Sequence, residues 1–234
     1  MRFCLPALLI AAVLAPQAQA ATRNFGLSGY DRIRVEGPFR VRLATGVAPY
    51  ARAVGTADAV DRVAITVEGR TLVVRSSSAW GGSVSGGNFT PATIELGTHD
   101  LTSAWLNGAG TLKIDKVKGL SFDASVQGSG AMQIDRADVD QLKVAVSGTA
   151  AAIIAGKAAR MTTTVRGIST LDSANLIVKD ATVGAEGAAT VKAHVTNAVK
   201  IDGSGPATIS LSGNPACTAK LAGSASVSGC KETR

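Results

Sequence analysis

Two aspartates, four arginines and two tryptophans are the residues whose types and spacing could do chemistry in this chain. Asp115 and Asp135 are 20 residues apart, each seven positions past a glycine, Gly108 or Gly128. If 20 residues make one turn of a stacked chain, their backbones lie about 4.8 Å apart. Such a pair could bind Ca²⁺ or serve as the acid and base of glycan cleavage. Aspartate is equally a turn residue that accepts backbone hydrogen bonds, and the column continues as Ala155, Ala174 and His194, so it is no long acidic ladder. Arg32, Arg34, Arg40 and Arg42 alternate on two short segments flanking Glu36-Gly37-Pro38. Projected from one face they would form a guanidinium patch suited to phosphate or carboxylate; the same alternation describes a solvated strand face that discourages edge association. Trp80 and Trp105 could each carry a stacked sugar ring, although an aromatic at the position of Trp105 can also be covered by neighbouring strands.

Other chemistries find little footing. There is no Gly-x-Ser-x-Gly elbow, and the two histidines, His99 and His194, are far apart in sequence. Asn107-Gly108-Ala109-Gly110 and Gln127-Gly128-Ser129-Gly130 lack the lysine and the strand-to-helix context of a phosphate loop. No cofactor and no metal are expected.

The positioning framework is a repeat. Gly108, Gly128, Gly148, Gly167, Gly187, Gly203 and Gly223 follow at intervals of 20, 20, 19, 20, 16 and 20 residues. A period near 20 predicts stacked coils. Two positions before each glycine stand Leu106, Val126, Val146, Val165, Ala185, Ile201 and Leu221, an aliphatic column that must face inward, alternating with outward positions that hold Trp105, Ser125, Ala145, Thr164, Gly184, Lys200 and Lys220 and then polar residues such as Asp123, Lys143 and Thr162. Two positions after stand Gly110, Gly130, Ala150, Ser169, Ala189, Gly205 and Ala225, all small. Each coil therefore contains at least two strands meeting at a glycine corner. The expected fold is all-β, a parallel β-helix-like solenoid of about seven 20-residue coils over residues 101–234.

Residues 21–100 differ in composition, with nine arginines and no lysine. Alternating segments such as Phe39-Arg40-Val41-Arg42-Leu43 and Val63-Ala64-Ile65-Thr66-Val67 predict short strands joined by tight turns. This region is expected to form a strand-rich cap. Within it the Ser- and Gly-rich segment 76–91, which carries Trp80 and Phe89, reads as a long surface loop, either a binding element or a plain connection.

Residues 1–20 combine Arg2, an apolar run from Phe3 to Leu14 and a closing Ala18-Gln19-Ala20. That pattern is a secretory signal peptide, and the run is too short to span a bilayer. The mature chain is thus expected to be exported to the periplasm, the outer-membrane surface or the medium, with no transmembrane segment. Cys4 falls inside the leader; Cys217 and Cys230 remain as an even pair, read as a disulfide that locks the last coil. The chain has 24 basic and 17 acidic side chains. A basic exported protein is predisposed to anionic partners, such as acidic polysaccharide or phosphorylated glycolipid. Only 4% of residues are aromatic, and no basic platform is interleaved with aromatics, which argues against nucleic acid.

Gly37-Pro38-Phe39-Arg40-Val41-Arg42-Leu43, Val67-Glu68-Gly69-Arg70-Thr71-Leu72-Val73-Val74, and the corners at Leu106 to Gly110 and Val126 to Gly130 together resemble a family of exported bacterial domains, the putative autotransporter adhesin head or head GIN domains. The resemblance runs from about Tyr30 to Cys230. It implies a β-helix-like, all-β envelope protein with no established enzymatic activity and supplies no catalytic residues; Arg166-Gly167-Ile168-Ser169 departs from the more regular Ser-Gly-Ser-Gly corner of typical members. The expected function is non-enzymatic, adhesin-like binding of an anionic glycan or glycolipid. The alternatives are a polysaccharide-active enzyme using Asp115 and Asp135, or a structural envelope component.

Overall fold

The computed structural model describes residues 21–77 and 91–231. The leader reading and Trp80 lie outside them. The described chain is a β-solenoid of about six turns, and the repeat shows why: seven corner glycines bound six intervals.

Burial along one turn reveals its cross-section. In β11 (Ala131–Gly148) buried and exposed residues alternate from Ala131 to Ile134, then Asp135 and Arg136 are both exposed. Alternation resumes through Val139, breaks again at Asp140 and Gln141, and runs on to Val146. A strand that keeps one side inward can show two consecutive outward residues only by turning a corner. Each turn therefore has three sides, one more than the glycine corner alone required. β11 stacks in parallel on β12 (Ala151–Gly167) along all three sides, and β13 (Thr170–Glu186) and β14 (Thr190–Ser204) continue the stack. The core is the thin column inside, with Leu106, Val126, Val146, Val165 and Ala185 essentially inaccessible.

The register corrects one corner. β14 pairs Gly203 with Ala185, placing Gly203 in the inward column rather than at the turn. Gly205 takes the corner instead: its φ is +76°, and a Cβ built there would lie 3.2 Å from Gly187 Cα. The spacing is then 18 residues on both sides of Gly205. The missing residues come from the third side, where register shifts lie between Ser173 and Ile177 and between Val178 and Asp180. With this register Ala207 joins the small column, and Ile209 stacks on Val191 in the core.

The N-terminal strands are stacked out of sequence order. β2 (Arg32–Glu36) lies in parallel between β6 (Thr71–Ser76) and β8 (Ser103–Gly108). β3 (Arg40–Thr45) lies likewise between β7 (Thr93–Thr98) and β9 (Thr111–Ile114). β2 and β3 are thus one rung of the solenoid, continuous with the repeats through β8, β9 and β10 (Val117–Gly128). The covering strands are antiparallel: β5 (Val63–Glu68) on β6, β4 (Tyr50–Gly55) on β7, and β1 (Ala21–Phe25) on β4. A short helix α1 (Ala57–Asp61) joins β4 to β5, with Thr56 Oγ1 accepting the Ala59 N–H at its start. At the far end, β15 (Thr208–Ser212) and β16 (Ala216–Ala222) stack on β14, β17 (Ser226–Ser228) stacks on β15, and β16 and β17 form the last rung. Cys217 and Cys230 are joined by the expected disulfide. The last inward column stays partly open there, with Leu221 46% exposed.

Candidate functional site

The four arginines divide between two sides of the solenoid. Arg32 and Arg34 are outward residues of β2 and belong to the side built by β8; Arg40 and Arg42 are outward residues of β3 and belong to the side built by β9. The corner at Gly37, φ +113°, separates them. A single four-arginine patch does not form. Arg34 instead lies over the half-buried ring of Trp105, its neighbour in register, 5.9 Å from the centroid, and Arg32 is 3.9 Å from Asp31. Trp105 is therefore partly covered by a guanidinium.

Arg40 and Arg42 face a trough on the second side. Because alternate residues of a strand share a face, the two are about 7 Å apart along β3. In register, Arg40 is flanked by Thr93 and Thr111, and Arg42 by Glu95 and Lys113. The neighbouring carboxylates are already engaged. Glu95 accepts two hydrogen bonds from Arg52, one of them at 3.0 Å from Nε. These bonds, and then the Glu95 charge, hold the Arg52 guanidinium more firmly protonated than usual. Asp135 pairs with Lys113 at 3.1 Å and accepts a hydrogen bond from Gln133 at 2.6 Å. Among the described residues, no ion pair is recorded for Arg40 or Arg42. Two depressions meet along this trough, of about 540 and 320 Å³, sharing Arg42 and Lys113.

Asp115 and Asp135 follow the register partners Ile114 and Ile134, so they do occupy neighbouring turns. Their bonds differ. Asp115 Oδ1 accepts from the Thr45 N–H at 3.0 Å, the Lys116 N–H at 2.6 Å and the Thr45 hydroxyl at 3.3 Å. That is the work of a corner residue satisfying backbone donors. Asp135 sits at the exposed corner pair of β11 and is held by Lys113. Among the described residues, no three His, Cys, Asp or Glu side chains converge as metal ligands, and no helix is long and apolar enough to cross a membrane.

Sequence reasoning missed several groups that only stacking brings in. Glu95 reaches the trough because β7 pairs in parallel with β3, and Tyr50 because β4 pairs antiparallel with β7; nothing in the repeat pattern reports either pairing. His194 Nδ1 lies 2.9 Å from Ser212 Oγ on the next rung. That contact is exposed, and among the described residues no carboxylate is recorded on the imidazole, so the orienting third member of a nucleophilic triad is missing.

Residues 29–215 match the family described as "Putative auto-transporter adhesin, head GIN domain". The chain belongs to this family. The fold recurs in solved structures of low sequence identity. A putative adhesin from Bacteroides fragilis NCTC 9343 superimposes with a TM-score of 0.79 at 16% identity, covering 91% of this chain and 96% of that one. A putative lipid binding protein from Parabacteroides distasonis ATCC 8503 gives 0.69 at 19% identity, covering 89% and 95%. A putative adhesin from Parabacteroides merdae ATCC 43184 gives 0.66 at 16% identity, again covering 89% and 95%. No curated protein matches the chain.

Proposed function

We propose that this head GIN domain is an exported, non-enzymatic envelope protein that binds an anionic glycan or glycolipid in the trough lined by Arg40 and Arg42. The observation that carries the reading is the imbalance there. Glu95 and Asp135 are each neutralised by a partner of their own, while among the described residues the two guanidiniums on β3 have none. An unpaired arginine offers a planar fork of donors to carboxylate or phosphate, and Thr93 and Thr111 stand beside Arg40 in register. The adhesin and lipid-binding descriptions of the structural relatives accord with a binding role. Export is supported by the leader pattern of residues 1–20 and by the disulfide. The engagement of Asp115 with backbone donors and of Asp135 with Lys113 weakens the glycan-cleaving alternative.

The test is binding of residues 21–234 to acidic and neutral bacterial glycans and to vesicles carrying acidic glycolipid, with product analysis on every hit. The reading expects saturable binding that weakens with salt, falls on Arg40→Ala with Arg42→Ala, and releases no cleaved product. Binding indifferent to both substitutions, or cleavage abolished by Asp135→Asn, would refute it.

A further inference from the structure

The geometry points to a saccharide subsite at the cap end of this trough, in which a hexose ring stacks on Tyr50 while its acidic substituent is held by Arg42. The inference rests on the binding reading above and adds to it the ligand unit and the residues that select it.

Tyr50 is the first residue of β4 and lies opposite Gly97 of β7. Its ring is packed against that glycine, since a Cβ at Gly97 would fall 2.3 Å from Tyr50 Cε1 and 2.4 Å from Cδ1. No other residue type leaves room for the ring in this position. Despite that bed, Tyr50 is 43% exposed, so the ring is held on one side and remains accessible to a ligand. It forms a wall of the depression of about 540 Å³, together with Ala44, Glu95, Arg42, Lys113 and Asp115. This volume is in the range of small-ligand sites. Ala44, the next outward residue after Arg42 on β3, leaves a gap between the Tyr50 ring and Asp115.

The polar groups are arranged to complete the contact. The recorded hydrogen bonds of Asp115 all fall on Oδ1, which leaves Oδ2 as an acceptor for a sugar hydroxyl. Arg42 stands between Glu95 and Lys113, whose charges are answered by Arg52 and Asp135. Its guanidinium is thus available for a carboxylate or sulfate on the sugar. An aromatic face carries partial negative charge and attracts the polarised C–H groups of a pyranose; the acidic group and the guanidinium then fix the orientation. An aromatic ring covering a cross-strand glycine also stabilises a sheet, so the test needs a readout that a purely structural role leaves unmoved.

Matched probes supply it. Residues 21–234 are titrated with polygalacturonate and its methyl ester, and with phosphatidylcholine vesicles containing sulfatide or galactosylceramide. Within each pair the sugar is shared and the charge is not. The inference expects binding to at least one charged member over its neutral counterpart, and the arm in which this occurs assigns the source as polymer or lipid headgroup. Tyr50→Ala should weaken that binding about tenfold, the size of one stacked contact, while Tyr50→Phe retains it. Gly97→Ala should weaken it as well by displacing the ring. Arg42→Ala should abolish the preference for charge while leaving residual binding of both members. Equal binding of charged and neutral members, or loss with Arg42→Ala but not with Tyr50→Ala, overturns the subsite and leaves the broader binding reading standing. Silence of the unsubstituted protein toward all four probes overturns the subsite; if the broader glycan and glycolipid panel is silent too, the binding reading falls with it.

Discussion

Replacing Gly148 by alanine tests the physical basis of the repeat. Gly148 has φ +97°, and a Cβ built on it would approach Gly128 O to 2.4 Å. Left-handed backbone costs an L residue roughly 1–2 kcal/mol. Forcing a methyl group against a backbone oxygen that is itself held in the stack adds about 1–3 kcal/mol. The sum is about 3 kcal/mol, and because the corner lies in mid-stack, no free end can absorb the shift. In a domain of this size each kcal/mol moves Tm by about 2–4 °C, so the expected fall is about 6–12 °C. Gly184→Ala is the control: it lies in the same stack without left-handed backbone, and its nearest contact would be 3.7 Å. There the lower entropy of the unfolded chain makes alanine neutral or mildly stabilising. Calorimetry with the disulfide intact is the appropriate assay, since a repeat array can unfold in parts. A Gly148→Ala protein melting within about 2 °C of the parent, or a Gly184→Ala protein falling as far as Gly148→Ala, would refute the reasoning.

Tyr30 is 5% exposed, and among the described residues its hydroxyl has no hydrogen-bond partner. Burial first, and then proximity to Tyr50, push its phenol well above the ordinary range. The unfolded chain releases this proton from about pH 10 upward while the folded chain retains it, so stability is intact below pH 10 and declines above it. Tyr30→Phe should flatten that alkaline decline and leave Tm at pH 7 unchanged or higher, because no hydrogen bond is lost; an unaltered alkaline slope in chemical denaturation would contradict this. Cys217→Ser with Cys230→Ser opens a loop worth on the order of 3 kcal/mol in the chain-entropy model. Hydrogen exchange should then accelerate in β16 and β17 and be unaffected at β11; uniform acceleration would argue against local fraying of the last rung. Arg32→Ala and Arg34→Ala should leave anion binding at its parent value, since they lie around the corner from the trough, and a loss comparable to that of Arg42→Ala would mean the ligand wraps the corner.

The solenoid, its inward columns, the glycine corners and the disulfide were legible in the sequence, because each is a local consequence of the backbone. A strand must alternate, a tight corner without room for a Cβ must be glycine, and one exported pair of cysteines can close one loop. Gly203 marks where that logic failed. Spacing counts residues without knowing on which side a turn has been shortened, and only hydrogen-bond register showed that Gly205 carries the corner and Gly203 the core. The trough was beyond the sequence for a related reason. Arg42, Glu95 and Lys113 are neighbours because β3 is inserted between β7 and β9, and Tyr50 joins them through an antiparallel strand laid on the end. Pairing between segments 40 or more residues apart leaves no periodic trace. The alternation of Arg32, Arg34, Arg40 and Arg42 correctly placed all four outward; whether they shared one surface depended on the corner at Gly37, an angle between two strands that tertiary stacking decides.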